Sequence, residues 1–140
     1  MFTLHPQLAN DCAVVGDYPI CRVLLNKQFS QFPWLILVPK RTALRDLTDM
    51  PEQDYLPVME EVRAAHDGLR DLTGADKMNM GAIGNMVPQL HIHLIARFKD
   101  DACWPKPVWG NAEAIPYDAD ALVKMVETLR ETLDVTLVSE

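Results

Sequence analysis

Between Gln89 and Leu94 every second residue is apolar: Leu90, Ile92 and Leu94 alternate with Gln89, His91 and His93. Successive side chains leave a β-strand on opposite faces, so this strict alternation predicts a half-buried strand. One face anchors the strand to a core. The other carries two imidazoles one strand step apart, roughly 6–7 Å between Cα atoms at ~3.3 Å rise per residue. A chain containing such a strand has to build a sheet around it and cover its apolar side.

The partners for that sheet are legible nearby. Cys21–Asn26 reads as a strand, and Trp34–Val38 is apolar at every position, the pattern of a strand buried on both faces. Seven residues, Lys27–Pro33, join the two and suit an antiparallel pair. Lys77–Ala82 reads as a further short strand, and Ile83–Met86 as the turn into the histidine strand. Asp49-Met50-Pro51-Glu52 carries a helix-start signal. Beyond it Tyr55, Val58, Val62, Ala65, Leu69 and Leu72 recur at helical spacing up to Thr73-Gly74, a helix stop. Pro57 either kinks that helix or marks its true start. Residues 1–20 read as an irregular lead-in with one short helix, with His5, just before Pro6, a surface turn residue. Two tryptophans, Trp104 and Trp109, lie in a proline-rich segment that excludes helix and central strand, and are expected to lie flat over the domain, the alternative being that one of them lines a pocket or a subunit contact. Asp118–Leu133 closes the chain as an amphipathic helix with Leu122, Met125, Val126, Leu129 and Leu133 inward. The sum is an α+β fold: an antiparallel sheet of about five strands, one long helix packed across it, and a C-terminal helix.

At 140 residues the chain is most simply one domain, 1–140, with a core at about 15–100 and a C-terminal Trp/Pro segment and helix at 101–140. A formal net charge of -7 argues against general affinity for nucleic-acid backbones or anionic lipid, so neither is expected as a partner. No apolar run is long enough to cross a bilayer. Cys12, Cys21 and Cys103 show no metal-ligand spacing, and the N-terminus carries no signal-peptide pattern. Reduced thiols and a cytoplasmic location are the expectation.

Three readings of the His-x-His pair are open from the residues alone. Two histidines can share a strand face without chemical purpose. They can ligate a metal, although no acidic or Cys/His cluster offers the remaining ligands. Or one neutral imidazole can attack phosphorus while the other donates a proton or hydrogen bond.

Gly84-Asn85-Met86-Val87-Pro88-Gln89-Leu90-His91-Ile92-His93-Leu94-Ile95-Ala96-Arg97 resembles the signature of the histidine-triad (HIT) family of nucleotide hydrolases and transferases. There a glycine-polar turn leads into three histidines alternating with apolar residues. The resemblance extends upstream over roughly residues 15–100. Asn26, eight residues before Trp34, matches a ribose-contacting Asn or Asp, and Asn79 matches an Asn near the α-phosphate. Three positions depart from the pattern: Gln89 replaces the first histidine, Met86 stands where phosphoramidate-cleaving relatives have Ser or Thr, and Trp34 replaces a histidine.

The resemblance implies a HIT-like fold and chemistry at the α-phosphate of a nucleotide derivative. His91 is then the nucleophile, forming a nucleotidyl-histidine, and His93 stabilises charge on the phosphoryl oxygens or leaving group. Asn26, Asn79, Asn85 and Gln89 are the implied nucleotide-binding residues. No metal or other cofactor is implied, the partner is a small nucleotide derivative, and a homodimer is a family expectation. The alternative is a nucleotide-binding module with weak or no catalysis because of Gln89 and Met86. A strand-borne nucleophile needs its Nδ1–H held by an acceptor, and the main-chain carbonyl of residue 89 can do this whatever its side chain. Losing one titratable ring there also favours a neutral His91 at pH 7, since free imidazole titrates near ~6.5.

Overall fold

The structure, a computed structural model, describes residues 1–138. Its sheet is built outward from the two most apolar stretches. Strand β2 (Cys21–Asn26) pairs antiparallel with β3 (Trp34–Pro39), with Leu24 opposite Ile36. Strand β5 (Ile92–Arg97) lies against the other side of β3, and β4 (Lys77–Gly81) pairs with β5. Strand β1 (Cys12–Asp17) completes the far edge, giving five antiparallel strands in the order β1-β2-β3-β5-β4.

Side-chain alternation sorts this sheet into two buried layers. Leu35 and Leu37 of β3 join Val23, Leu25, Leu94 and Ala96 beneath the long helix α2 (Tyr55–Thr73). Trp34, Ile36 and Val38 point the other way, into a second cluster with Leu24 and Ile95. That two-sided burial is why β3 is apolar throughout. Helix α2 supplies Val58, Val62, Ala65 and Leu69 to the first layer, each contributing about 1.5–3 kcal/mol of burial where the side chain is large. The C-terminal helix α3 (Ala119–Leu133) adds Leu129 and Leu133, with Leu122, Met125 and Val126 partly buried beside them. Asp118 caps its start by accepting from the Ala121 amide at 2.8 Å. Gly74 ends α2 in the left-handed region, φ 67°, where a side chain is strained.

Four local readings change. The helix does not begin at Asp49: two short 3₁₀ turns, Leu47–Asp49 and Glu52–Asp54, precede it, and Pro57 sits in the first turn of α2, where a missing N–H breaks no helical bond. Residues 1–20 hold a strand as well as the expected short helix α1 (Pro6–Asp11). His5 is the N-cap of α1, accepting from the Gln7 amide at 3.1 Å. The histidine strand starts at Ile92, not Gln89, because the Leu90 amide is drawn to the Leu44 carbonyl (2.9 Å) and away from the sheet.

Among the described residues no helix is long and apolar enough to cross a membrane.

Candidate active site

His91 and His93 leave β5 and the residues just before it on the same side of the sheet, opposite α2. Their ring centroids lie 4.9 Å apart at 69° between planes. The face they occupy is not a solvent face: α1, the turn at Val87 and the segment around Val108 cover it, leaving His91 6% and His93 8% exposed. Covering follows from the neighbours, since Leu24, Trp34, Ile36 and Ile95 on the same face are apolar and cannot be left to water.

Partners of opposite polarity hold the two rings. His91 Nδ1 meets the Gln89 main-chain carbonyl at 2.6 Å, so Nδ1 carries a proton and the lone pair of the neutral ring lies on Nε2. His93 Nδ1 accepts from the Trp34 indole N–H at 3.0 Å. Neither Nε2 has a protein hydrogen-bond partner. The fully buried side-chain N and O atoms without partners, among the described residues, are Gln31 Oε1 and Trp109 Nε1, so both histidine Nε2 atoms keep an opening.

His91 forms part of the wall of a cavity of about 290 Å³ that also includes Arg45, Thr48, Ile83 and Gly84. None of the amides from Ile83 to Val87 has a hydrogen-bond partner among the described residues, so this turn, whose Ile83 and Gly84 line the cavity with His91, offers unspent N–H donors. Such successive free amides suit an anion. Gly84 has φ 65°, which re-aims the chain there at no steric cost. Met86, at the tip of the turn, points to solvent, 92% exposed.

The other expected residues are spread around this pair. Asn26, at the end of β2, is buried on the histidine face, and its Oδ1 accepts from the Gln28 amide at 3.1 Å. Asn79, on β4, accepts at its Oδ1 from Arg97 Nη1 at 3.0 Å. Both therefore have Nδ2 donors to spare. Asn85 is exposed in the turn. Gln89 has no spare amide atom: Oε1 accepts from the His5 amide (2.8 Å) and Nε2 donates to the Thr3 carbonyl (2.9 Å). It fastens the N-terminal segment over the sheet, so the side chain is spent before any ligand arrives.

Sequence reasoning missed the contact of Trp34 with His93 and did not say which residue Trp109 would meet. Trp34 meets its ring edge at 5.7 Å between centroids and Trp109 at 5.6 Å. Trp109 also fills the space above Gly81, where an added Cβ would lie 3.1 Å from the indole. Residues Arg45 and Thr48 carried no periodic or motif signal. Among the described residues no three His, Cys, Asp or Glu side chains converge as a metal site would need.

Burial, reinforced by the neighbouring His91, pushes the His93 pKa down to about 4. The unfolded chain takes up a proton on this residue near pH 6.5, while the folded chain resists until about 4. Stability from this group is therefore whole above 6.5 and lost as pH falls towards 4, by at most about 3 kcal/mol. Melting curves taken between pH 7 and 4 should fall accordingly, and a His93→Asn variant should show a flatter profile over that window.

The antiparallel sheet with one long helix across it is shared with solved histidine triad proteins. The structure is similar to one from Marinobacter aquaeolei VT8, 39% identical over 96% of this chain and 97% of that one, TM-score 0.91. It is also similar to one from Bradyrhizobium japonicum, 38% identical over 94% and 98%, TM-score 0.90. A third, from Sinorhizobium meliloti 1021, is 36% identical over 94% and 97%, TM-score 0.89. No curated protein matches. The HIT domain model matches residues 7–100, and the chain belongs to that family. Its members are generally nucleotide hydrolases or transferases.

Proposed function

We propose that this protein hydrolyses or transfers at the α-phosphate of a nucleotide derivative, a phosphoramidate, dinucleoside polyphosphate or related phosphoanhydride, with His91 as nucleophile. The observation that carries the reading is the 2.6 Å contact from His91 Nδ1 to the Gln89 carbonyl, which fixes a proton on Nδ1 so that the lone pair of the neutral ring lies on Nε2, in a residue that lines a cavity. A neutral imidazole with its lone pair on an accessible Nε2 is what attack on phosphorus requires.

In the first step the Nε2 lone pair forms a P–N bond and the bond from phosphorus to the leaving group breaks, its electron pair departing with that group. Water then adds to phosphorus, the P–N pair returns to Nε2, and the water proton is released with the nucleoside monophosphate. His93 stabilises charge on the phosphoryl oxygens. Amides of the Gly84–Val87 turn and Asn85 supply hydrogen bonds that Met86 cannot. Asn79 offers Nδ2 to the phosphate and Asn26 to the ribose, while Gln89 contributes its carbonyl through His91. The subunits pair along β4, the free sheet edge, where Met80 and Ile83 are half exposed. Sedimentation at the monomer mass would discard that pairing.

Intact-protein mass spectrometry after mixing with an activated adenylate tests the chemistry. One nucleotidyl unit, lost in a His91→Ala variant, supports it. Saturable binding with neither adduct nor monophosphate release makes the protein a nucleotide-binding module instead.

A further inference from the structure

We infer that Trp34 is a positioning residue: its indole N–H holds His93 in the tautomer protonated on Nε2, so that the second imidazole meets the phosphoryl group as a hydrogen-bond donor. The inference rests on the roles given above to His91 and His93, and it concerns the state of the ring before any nucleotide arrives.

The indole nitrogen can only donate. It lies 3.0 Å from His93 Nδ1 in a buried contact, so Nδ1 must accept and the ring proton must sit on Nε2. The carbonyl facing His91 can only accept, and imposes the reverse arrangement on that ring. Two imidazoles 4.9 Å apart are thus driven into opposite tautomers by partners that cannot change roles. One presents a lone pair and the other an N–H, which is the pairing a nucleophile and an oxygen-stabilising donor need. A histidine in place of Trp34 could donate or accept and would leave the choice open.

The indole is itself held firmly. Trp34 is 5% exposed, begins β3, and packs against Phe29 at 5.1 Å and edge-on to Trp109 at 6.2 Å between centroids. The ionisable group facing His93 is His91. The neighbours from the flanking strands and the C-terminal segment, Ile36, Gly81, Trp34 and Trp109, carry no charge. With its pKa lowered to about 4, chiefly by burial, His93 stays a neutral donor through the physiological range.

Long-range proton–nitrogen NMR of the full chain without ligand reads both tautomers directly. The expected result is His91 protonated on Nδ1 and His93 on Nε2; His93 protonated on Nδ1 would overturn the inference. Trp34→Phe keeps an aromatic ring and removes the donor. It should give His93 a mixed tautomer and lower kcat about tenfold, the scale of one hydrogen bond, with KM little changed. A folded Trp34→Phe protein with the His93 tautomer and kcat both unaltered would also overturn it. If that variant does not fold, the wild-type spectrum decides alone. Failure to form an adduct on His91 removes the catalytic reading and leaves the tautomer result standing, so the two failures are distinct.

Discussion

Replacing His91 with alanine should, on the proposed mechanism, lower release of nucleoside monophosphate by at least about 10⁴-fold, the scale seen when a nucleophile or its base is deleted. That corresponds to about 5 kcal/mol of lost transition-state stabilisation. The protein itself survives the change. His91 contributes one hydrogen bond to the Gln89 carbonyl and contact with His93, at the wall of an existing cavity. Losing these costs about 1 kcal/mol, a fall of a few degrees in melting temperature. The separation of a large kinetic loss from a small thermal one is the informative part. Steady-state assays with an adenylated amine or a dinucleoside polyphosphate, beside a thermal melt, measure both. Activity within tenfold of wild type would sink the mechanism.

Cutting the charge pair at the end of β5 has the largest effect on folding. Arg97 and Asp101 are almost fully enclosed, with side chains 1% and 4% exposed. They meet through two parallel bonds, Nε to Oδ2 at 2.8 Å and Nη2 to Oδ1 at 3.0 Å. The guanidinium also lies over the rings of Phe32 and Trp104 and donates to Asn79. Asp101→Ala leaves that cation buried without its counter-charge, at a cost of about 3–5 kcal/mol. Against a total stability of about 5–15 kcal/mol this is a large share. Denaturant titration should show it as a clear drop in midpoint, and an unchanged midpoint would refute the account. An Arg97→Met/Asp101→Leu double variant should be less damaged than Asp101→Ala, because no lone charge remains. The Arg97 hydrogen bonds hold the Asp101 carboxyl down at about 2, so the pair's contribution persists above pH 4 and fades only as pH falls through that value.

Most of the framework was legible because burial imposes period. Trp34–Val38, the 3–4 spacing from Val58 to Leu69, and the alternation through His91 and His93 each report a neighbour that excludes water on a regular face. Strand β1 was not legible. It follows α1 without a turn, and its register against β2 slips between Val14 and Gly16, breaking alternation. Gly16 is needed there because an added Cβ would sit 2.5 Å from the Thr136 carbonyl oxygen, a contact with no local trace in sequence. The site divides the same way. Alternation put the two imidazoles on one face, and strand geometry anticipated the Gln89 carbonyl beside His91. The Trp/Pro segment was expected over the domain, but which face it and the amino end would cover was not legible, since residues 1–5 and 101–112 have no period. The Trp34–His93 bond joins residues 59 apart, which only strand register brings together.

The bridge from the Gln89 side chain reaches only main-chain atoms of Thr3 and His5. Side chains at the amino end can therefore vary without loosening it, provided position 5 keeps its N–H. Shortening the chain past Thr3 is another matter. It would free the Gln89 side-chain NH2, which has no other protein partner, and strip Phe2 from the apolar cluster that shares the histidine face.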